Sequence, residues 1–166
     1  KLNPGASTVP IDLGNDTDWQ DEITRTALTQ THNVAFGAGD QNGNYRLSLG
    51  YLDQEGIIKE SGIKRLSARM NASRKFLDGR LTMGTNITLA QTLDQTAPIT
   101  ENAGFEGDAW INALKGNPTW PTHNADGSLF QAKDNSRPSP LAMIELTDDR
   151  TNSLRALGNI NAELKI

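Results

Sequence analysis

No cysteine occurs in the 166 residues. A disulfide framework and any thiolate metal site are therefore excluded, and the redox compartment is left undetermined. Aromatic residues make up 5% and apolar residues 36% of the chain, which is thin for a domain that must bury a compact core. No run approaches the roughly 20 apolar residues of a membrane-spanning helix. The balance of 16 basic and 20 acidic residues leaves a net charge of -4, which argues against nucleic acid as a partner. Catalytic signatures are missing as well. His32 and His123 are far apart, no serine sits in a G-x-S-x-G elbow, and Gly37, Gly39 and Gly43 miss the spacing of a nucleotide-binding loop. No cofactor, no metal and no enzymatic activity are expected.

What is present is alternation. Between Asn44 and Tyr51, Tyr45, Leu47, Leu49 and Tyr51 share one face, and Arg46, Ser48 and Gly50 the other. Leu66, Ala68, Met70 and Ala72 likewise oppose Arg65, Ser67, Arg69 and Asn71. Period two is the signature of a strand with one apolar and one polar face. The pattern predicts five strands over residues 31–38, 44–51, 64–73, 80–90 and 153–166, with Leu157 the one apolar residue on the polar side. Asn42 and Gly43 give a hairpin signal. An acidic helix start is predicted after a cap at Asp16 or Thr17, and a helix over 102–114 around Trp110. Asp16, Asp18, Asp21 and Glu22 could make a cation site; a capped, solvated helix start is the preferred reading. The prolines between 118 and 140 are read as breakers.

No amphipathic helix is available to cover the apolar strand faces. A soluble sandwich needs bulky residues on two facing sheets, and these faces are rich in alanine, glycine and threonine. Arg46, Arg65, Arg69, Arg155 and Glu163 fall on the polar face, where a wide lumen accommodates them. A transmembrane β-barrel needs only an apolar outer band and a polar inside. The connections run short (39–43), medium (53–63), short (74–79) and long (91–152), matching the short periplasmic turns and longer extracellular loops of such barrels. The fold class expected is therefore all-β, about five antiparallel strands of a large transmembrane barrel in contact with the lipid bilayer, with long extracellular loops containing short helices. Five strands cannot close such a barrel, and Lys1 and Ile166 both read as interior positions, so a longer parent chain is expected.

Residues Thr17, Asp18, Trp19, Gln20, Asp21, Glu22 and Ile23, followed by Arg25 and Thr26, form a TDWQDEI-type signature. With Tyr45 to Tyr51, Gly56 to Lys59, Asn117 to Thr119, Asn124 to Ser128 and Leu146 to Asn152, it resembles the SusC/RagA family of TonB-linked outer-membrane transporters. The resemblance covers roughly residues 15–166. It implies a barrel of about 22 strands with a plug inside, capped by a SusD-like surface lipoprotein and energised by TonB. It also implies import of oligosaccharides or peptides across the outer membrane of a Gram-negative, Bacteroidetes-like cell. Within it, 1–30 would be an extracellular loop, 31–90 four strands, 91–152 a long extracellular loop and 153–166 a further strand, with plug and TonB box absent from the sequence. Trp19, Trp110 and Trp120 are the ligand-binding candidates, because aromatic faces stack on sugar rings and all three fall in the loops. The competing reading makes them small cores that hold those loops down. A soluble all-β glycan-binding module and a non-transporting outer-membrane adhesin or structural barrel are the alternative functions.

Overall fold

The computed structural model describes residues 12–99, 107–132 and 138–166. The chain divides into two compact units. One is a sheet built from 27–56, 62–95 and 150–166; the other gathers the remaining described segments, from 12–26, 57–61 and 96–149.

The sheet contains β1 (Thr29–Asp40), β2 (Gly43–Glu55), β3 (Gly62–Phe76), β4 (Leu81–Gln95) and β5 (Arg150–Leu164). They lie in chain order, each antiparallel to the next. The strands outrun the alternating stretches at several ends. Gln54, Glu55, Arg74 and Lys75 are polar, so no apolar period marks them, yet their backbones continue the ladder. The register puts like with like. Phe36, Leu47, Met70, Ile87 and Gly158 form one cross-strand row, and Val34, Leu49, Ala68, Leu89 and Ala156 the next. Both rows are on the same face, and Val34, Phe36, Leu47, Leu49 and Leu89 remain exposed there. Leu157 pairs with Thr88 on the opposite face.

Aromatic residues bracket this apolar band. Phe36 and Tyr45 lie 6.2 Å apart between ring centroids at one end, and His32 stacks on Tyr51 at 6.5 Å at the other. Tyr45 and Tyr51 are separated by about 20 Å along β2, at about 3.4 Å per residue. Beyond Tyr51 the face turns polar. Its hydroxyl donates to Asp53 at 3.0 Å, and Lys64 reaches Asp53 at 3.4 Å.

The two tight turns have different chemistry. Asp40 pairs directly with Gly43, so the first hairpin turns on Gln41 and Asn42, and Asp40 Oδ1 accepts from the Asn42 amide at 2.8 Å. Gly43, expected to shape the turn, opens β2 instead. A Cβ there would strike the Ser73 carbonyl oxygen and stand 3.0 Å from Arg74 Cα, so the glycine permits close approach of β3. In the second hairpin Leu77 and Asp78 take φ of 53° and 54°, and Gly79 donates to the Phe76 carbonyl at 3.1 Å.

The other unit holds three short helices, α1 (Trp19–Ile23), α2 (Ala109–Lys115) and α3 (Pro140–Glu145). The cap of α1 is Asp18, which accepts from the amides of Gln20 and Asp21 at 3.0 and 3.2 Å, rather than Asp16 or Thr17. Asp108 caps α2, which is shorter than expected from sequence; residues 102–106 lie outside the described residues. The third helix runs through a segment read as broken by proline. Ser139 caps it and Pro140 occupies its first turn, where the missing amide costs nothing.

Candidate functional site

The unit's core gathers Trp19, Ile23, Ile58, Ala97, Ala109, Ala113, Leu141 and Ile144. Trp19 is 4% exposed. Its indole Nε1 donates to the Asn117 carbonyl at 2.9 Å, and its ring lies on Gly116, where a Cβ would stand 2.5 Å from Trp19 Cδ1. Both stacking faces of Trp19 are thus occupied by protein. Trp110 and Trp120 are half-buried and pack against the same core. Trp120 is tilted on Phe130 with centroids 5.7 Å apart, and its carbonyl accepts from the Thr17 hydroxyl at 2.6 Å. The gap left among Trp19, Gly116, Trp120, Phe130 and Pro140 is about 10 Å³, room for one water molecule at most. The three tryptophans are therefore brought together around one core, and only Trp110 and Trp120 keep open surface for a ligand.

Two partners of this cluster, Gly116 and Phe130, belong to no stretch singled out in the sequence. Gly116 and Asn117 meet Trp19 across about a hundred residues of chain, Phe130 meets Trp120 only ten positions away, and Lys59 Nζ donates to the Glu22 carbonyl at 2.6 Å. Beside them, residues 122–130 form a narrow loop. Asn124 and Ser128 close it through backbone and side chains, and the Asp126 carboxylate accepts from the Ser128 hydroxyl at 2.6 Å and its amide at 2.9 Å. Those hydrogen bonds hold the Asp126 pKa below its ordinary value, the hydroxyl contributing most. His123 bridges Leu129 through its backbone, and its Nδ1 lies 3.0 Å from the neighbouring Thr122 hydroxyl. Among the described residues no group of three or more acidic or histidine side chains is placed to hold a metal ion.

The polar face of the sheet is a second candidate surface. Arg46, Arg65, Arg69 and Arg155 all project from it, since each alternates with the apolar rows. Arg65 Nε donates to Thr92 Oγ1 at 3.3 Å, and Asn86 donates to Asn159 Oδ1 at 3.1 Å. Gly50 lets Asn33 and Ser67 converge, because a Cβ there would meet their oxygens at 2.8 and 2.9 Å. A depression of about 340 Å³ lies among Asn33, Arg46, Ser48, Ser67 and Arg69. The polar half of the alternation exposed the arginines in the sequence; the convergence over Gly50 depends on register and was invisible there.

An antiparallel meander with an aromatic-bounded apolar face and an arginine-bearing polar face is a sector of a transmembrane β-barrel. No family model matches the chain. It is 34% identical to the TonB-dependent receptor SusC of Bacteroides thetaiotaomicron over 95% of its own length, and 27% identical to the TonB-dependent receptor P3 of Formosa agariphila over 85%. It spans 17% and 14% of the length of these two relatives. The structure of the RagAB peptide importer in its closed-closed state superposes with a TM-score of 0.73 at 24% identity, over 99% of this chain and 19% of that one. The chain belongs to the SusC/RagA family of TonB-dependent outer-membrane receptors, as part of the barrel.

Proposed function

We propose that the parent protein is an active importer that carries oligosaccharides or peptides across the outer membrane, with TonB supplying energy and a SusD-like surface lipoprotein closing the outer mouth. The observation that carries this reading is the register, which aligns five strands into one continuous apolar band and one continuous polar wall. Such a wall suits the lumen of a wide barrel, where charged side chains meet water and cargo. The two tight turns, at 41–42 and 77–80, fit the periplasmic side. Segments 12–26, 57–61 and 96–149 then form the extracellular part, and the open surfaces of Trp110 and Trp120 are its contacts for a sugar ring or an apolar peptide side chain. Trp19 positions that surface from below. Plug and TonB box belong to the parent chain outside residues 1–166. The reaction is binding and gated passage, with no covalent step.

Fractionation of native cells with an antibody to this segment tests the reading. The expected result is a heat-modifiable band on the order of 100 kDa in the outer membrane, whose cargo uptake stops when TonB is deleted. A soluble band, or uptake indifferent to TonB, overturns it.

A further inference from the structure

The apolar face of the sheet is not uniform. Near its tight-turn end a groove of about 690 Å³ opens across all five strands. Tyr45, Phe76, Met83 and Ile160 wall it, and Ala72 gives it a shallow floor. The depression follows from register. Ala72 falls between Tyr45 and Thr85 in its row, while the next row outward ends in Asp40, Gly43, Arg74, Met83 and Ala162. Large side chains thus surround a place where small ones leave the backbone uncovered.

The groove has a charged head. Arg74 lines it and is exposed, and among the described residues its guanidinium has no hydrogen-bond or ion-pair partner. Asp40 lines the same end, two strands from Arg74 in the same row, a spacing of about 10 Å. An arginine at the edge of an apolar band is suited to a phosphate, to which it presents a planar fork of donors. An apolar slot leading away from a cation and an anion about 10 Å apart has the shape and charge order of a zwitterionic phospholipid.

We propose that this groove is a phospholipid-binding site, with an acyl chain lying between Tyr45 and Ile160 over Ala72, the phosphate on Arg74 and an ethanolamine ammonium near Asp40. The site rests on the barrel reading and on the tight turns facing the periplasm, which makes the lipid one of the inner leaflet. It lies on the outside of the wall, on the face opposite the arginines of the polar wall. Its role is to fix the wall in the leaflet, where no side chain of the sheet fills the surface.

The full-length receptor provides the test. It is assembled into nanodiscs of equal phosphatidylethanolamine and phosphatidylglycerol, stripped with detergent in steps, and weighed by native mass spectrometry. Heat-modifiable migration of the same sample reports barrel closure separately, so failure of the barrel reading shows there and not in the lipid count. The expected result is a retained phosphatidylethanolamine that R74Q loses on the order of tenfold sooner, the scale of one charge-assisted hydrogen-bonded contact. R74K, which keeps the charge and loses the fork, retains it for a time between wild type and R74Q, and A72L, which fills the floor without touching a charge, loses it while the barrel stays closed. D40N shifts the retained lipid toward phosphatidylglycerol. Absence of any retained lipid in the wild type, or equal retention by wild type and A72L, overturns the site.

Discussion

Trp19 has its indole on Gly116 and its single donor on the Asn117 carbonyl, so its contribution divides into packing and one hydrogen bond. Replacing it with alanine should lower the stability of the loop unit by about 3–5 kcal/mol, as for other buried aromatic truncations. Replacement by phenylalanine removes the donor and leaves the Asn117 carbonyl without that partner, at about 1 kcal/mol. G116A presses a methyl into the ring and should cost about 1–3 kcal/mol. Faster amide exchange in α2 is the readout for all three. Asp126 makes a prediction of opposite character. Its pKa is lowered in the folded loop, so the carboxylate stabilises the 124–128 turn above the ordinary carboxylate range of about 4. That support is lost as pH falls through the lowered folded value. The Ser128 amide resonance should shift across that acidic window in the wild type and stay constant in D126N.

At the scale of elements, the second hairpin carries a local cost. Leu77 and Asp78 both occupy the left-handed region, as a type I′ turn demands, but neither is the asparagine or glycine that adopts it readily. L77N with D78G should raise the resistance of the folded barrel to urea by about 1 kcal/mol per position, measured as the midpoint at which heat modifiability is lost. The strands themselves were legible because period two survives wherever one face meets an apolar phase. Their ends were not, since Glu55, Arg74 and Lys75 are polar whichever way they point while the ladder continues through their backbones. Helix α3 was hidden by its own start signal. Ser139 and Pro140 look like a break when proline is counted as a terminator, although together they form a cap and a first turn. The tryptophan cluster was half legible. The residues stood out by type, but Gly116 and Asn117 lie almost a hundred positions from Trp19, and only the fold brings them under it.

For the whole molecule, the two faces of β2 give adjacent residues opposite fates. Leu47 sits near the middle of the apolar band, and Ser48 beside it points to the polar wall. L47R places a charge against lipid and should destabilise the inserted barrel by about 2–4 kcal/mol. S48R adds a fifth arginine to a wall that already carries four, and should insert at the wild-type level. The amount of each full-length variant recovered folded from the outer membrane distinguishes the faces. Equal loss for both would mean that the wall is not an aqueous lumen.

The connection between β4 and β5 spans 96–149, whereas that between β2 and β3 needs only 56–61. Closing a flexible loop grows costlier only with the logarithm of its length, by about 0.6 kcal/mol per doubling, so the difference between these two amounts to about 2 kcal/mol of chain entropy. Burial of Leu141 and Ile144 alone is of that size or larger. Once an inserted loop packs into a small core shared with its neighbouring loops, the ladder of β4 and β5 is nearly indifferent to what the loop contains. Recognition surfaces can then be lengthened, exchanged or rewritten between fixed strands, and a single wall can serve receptors with very different appetites.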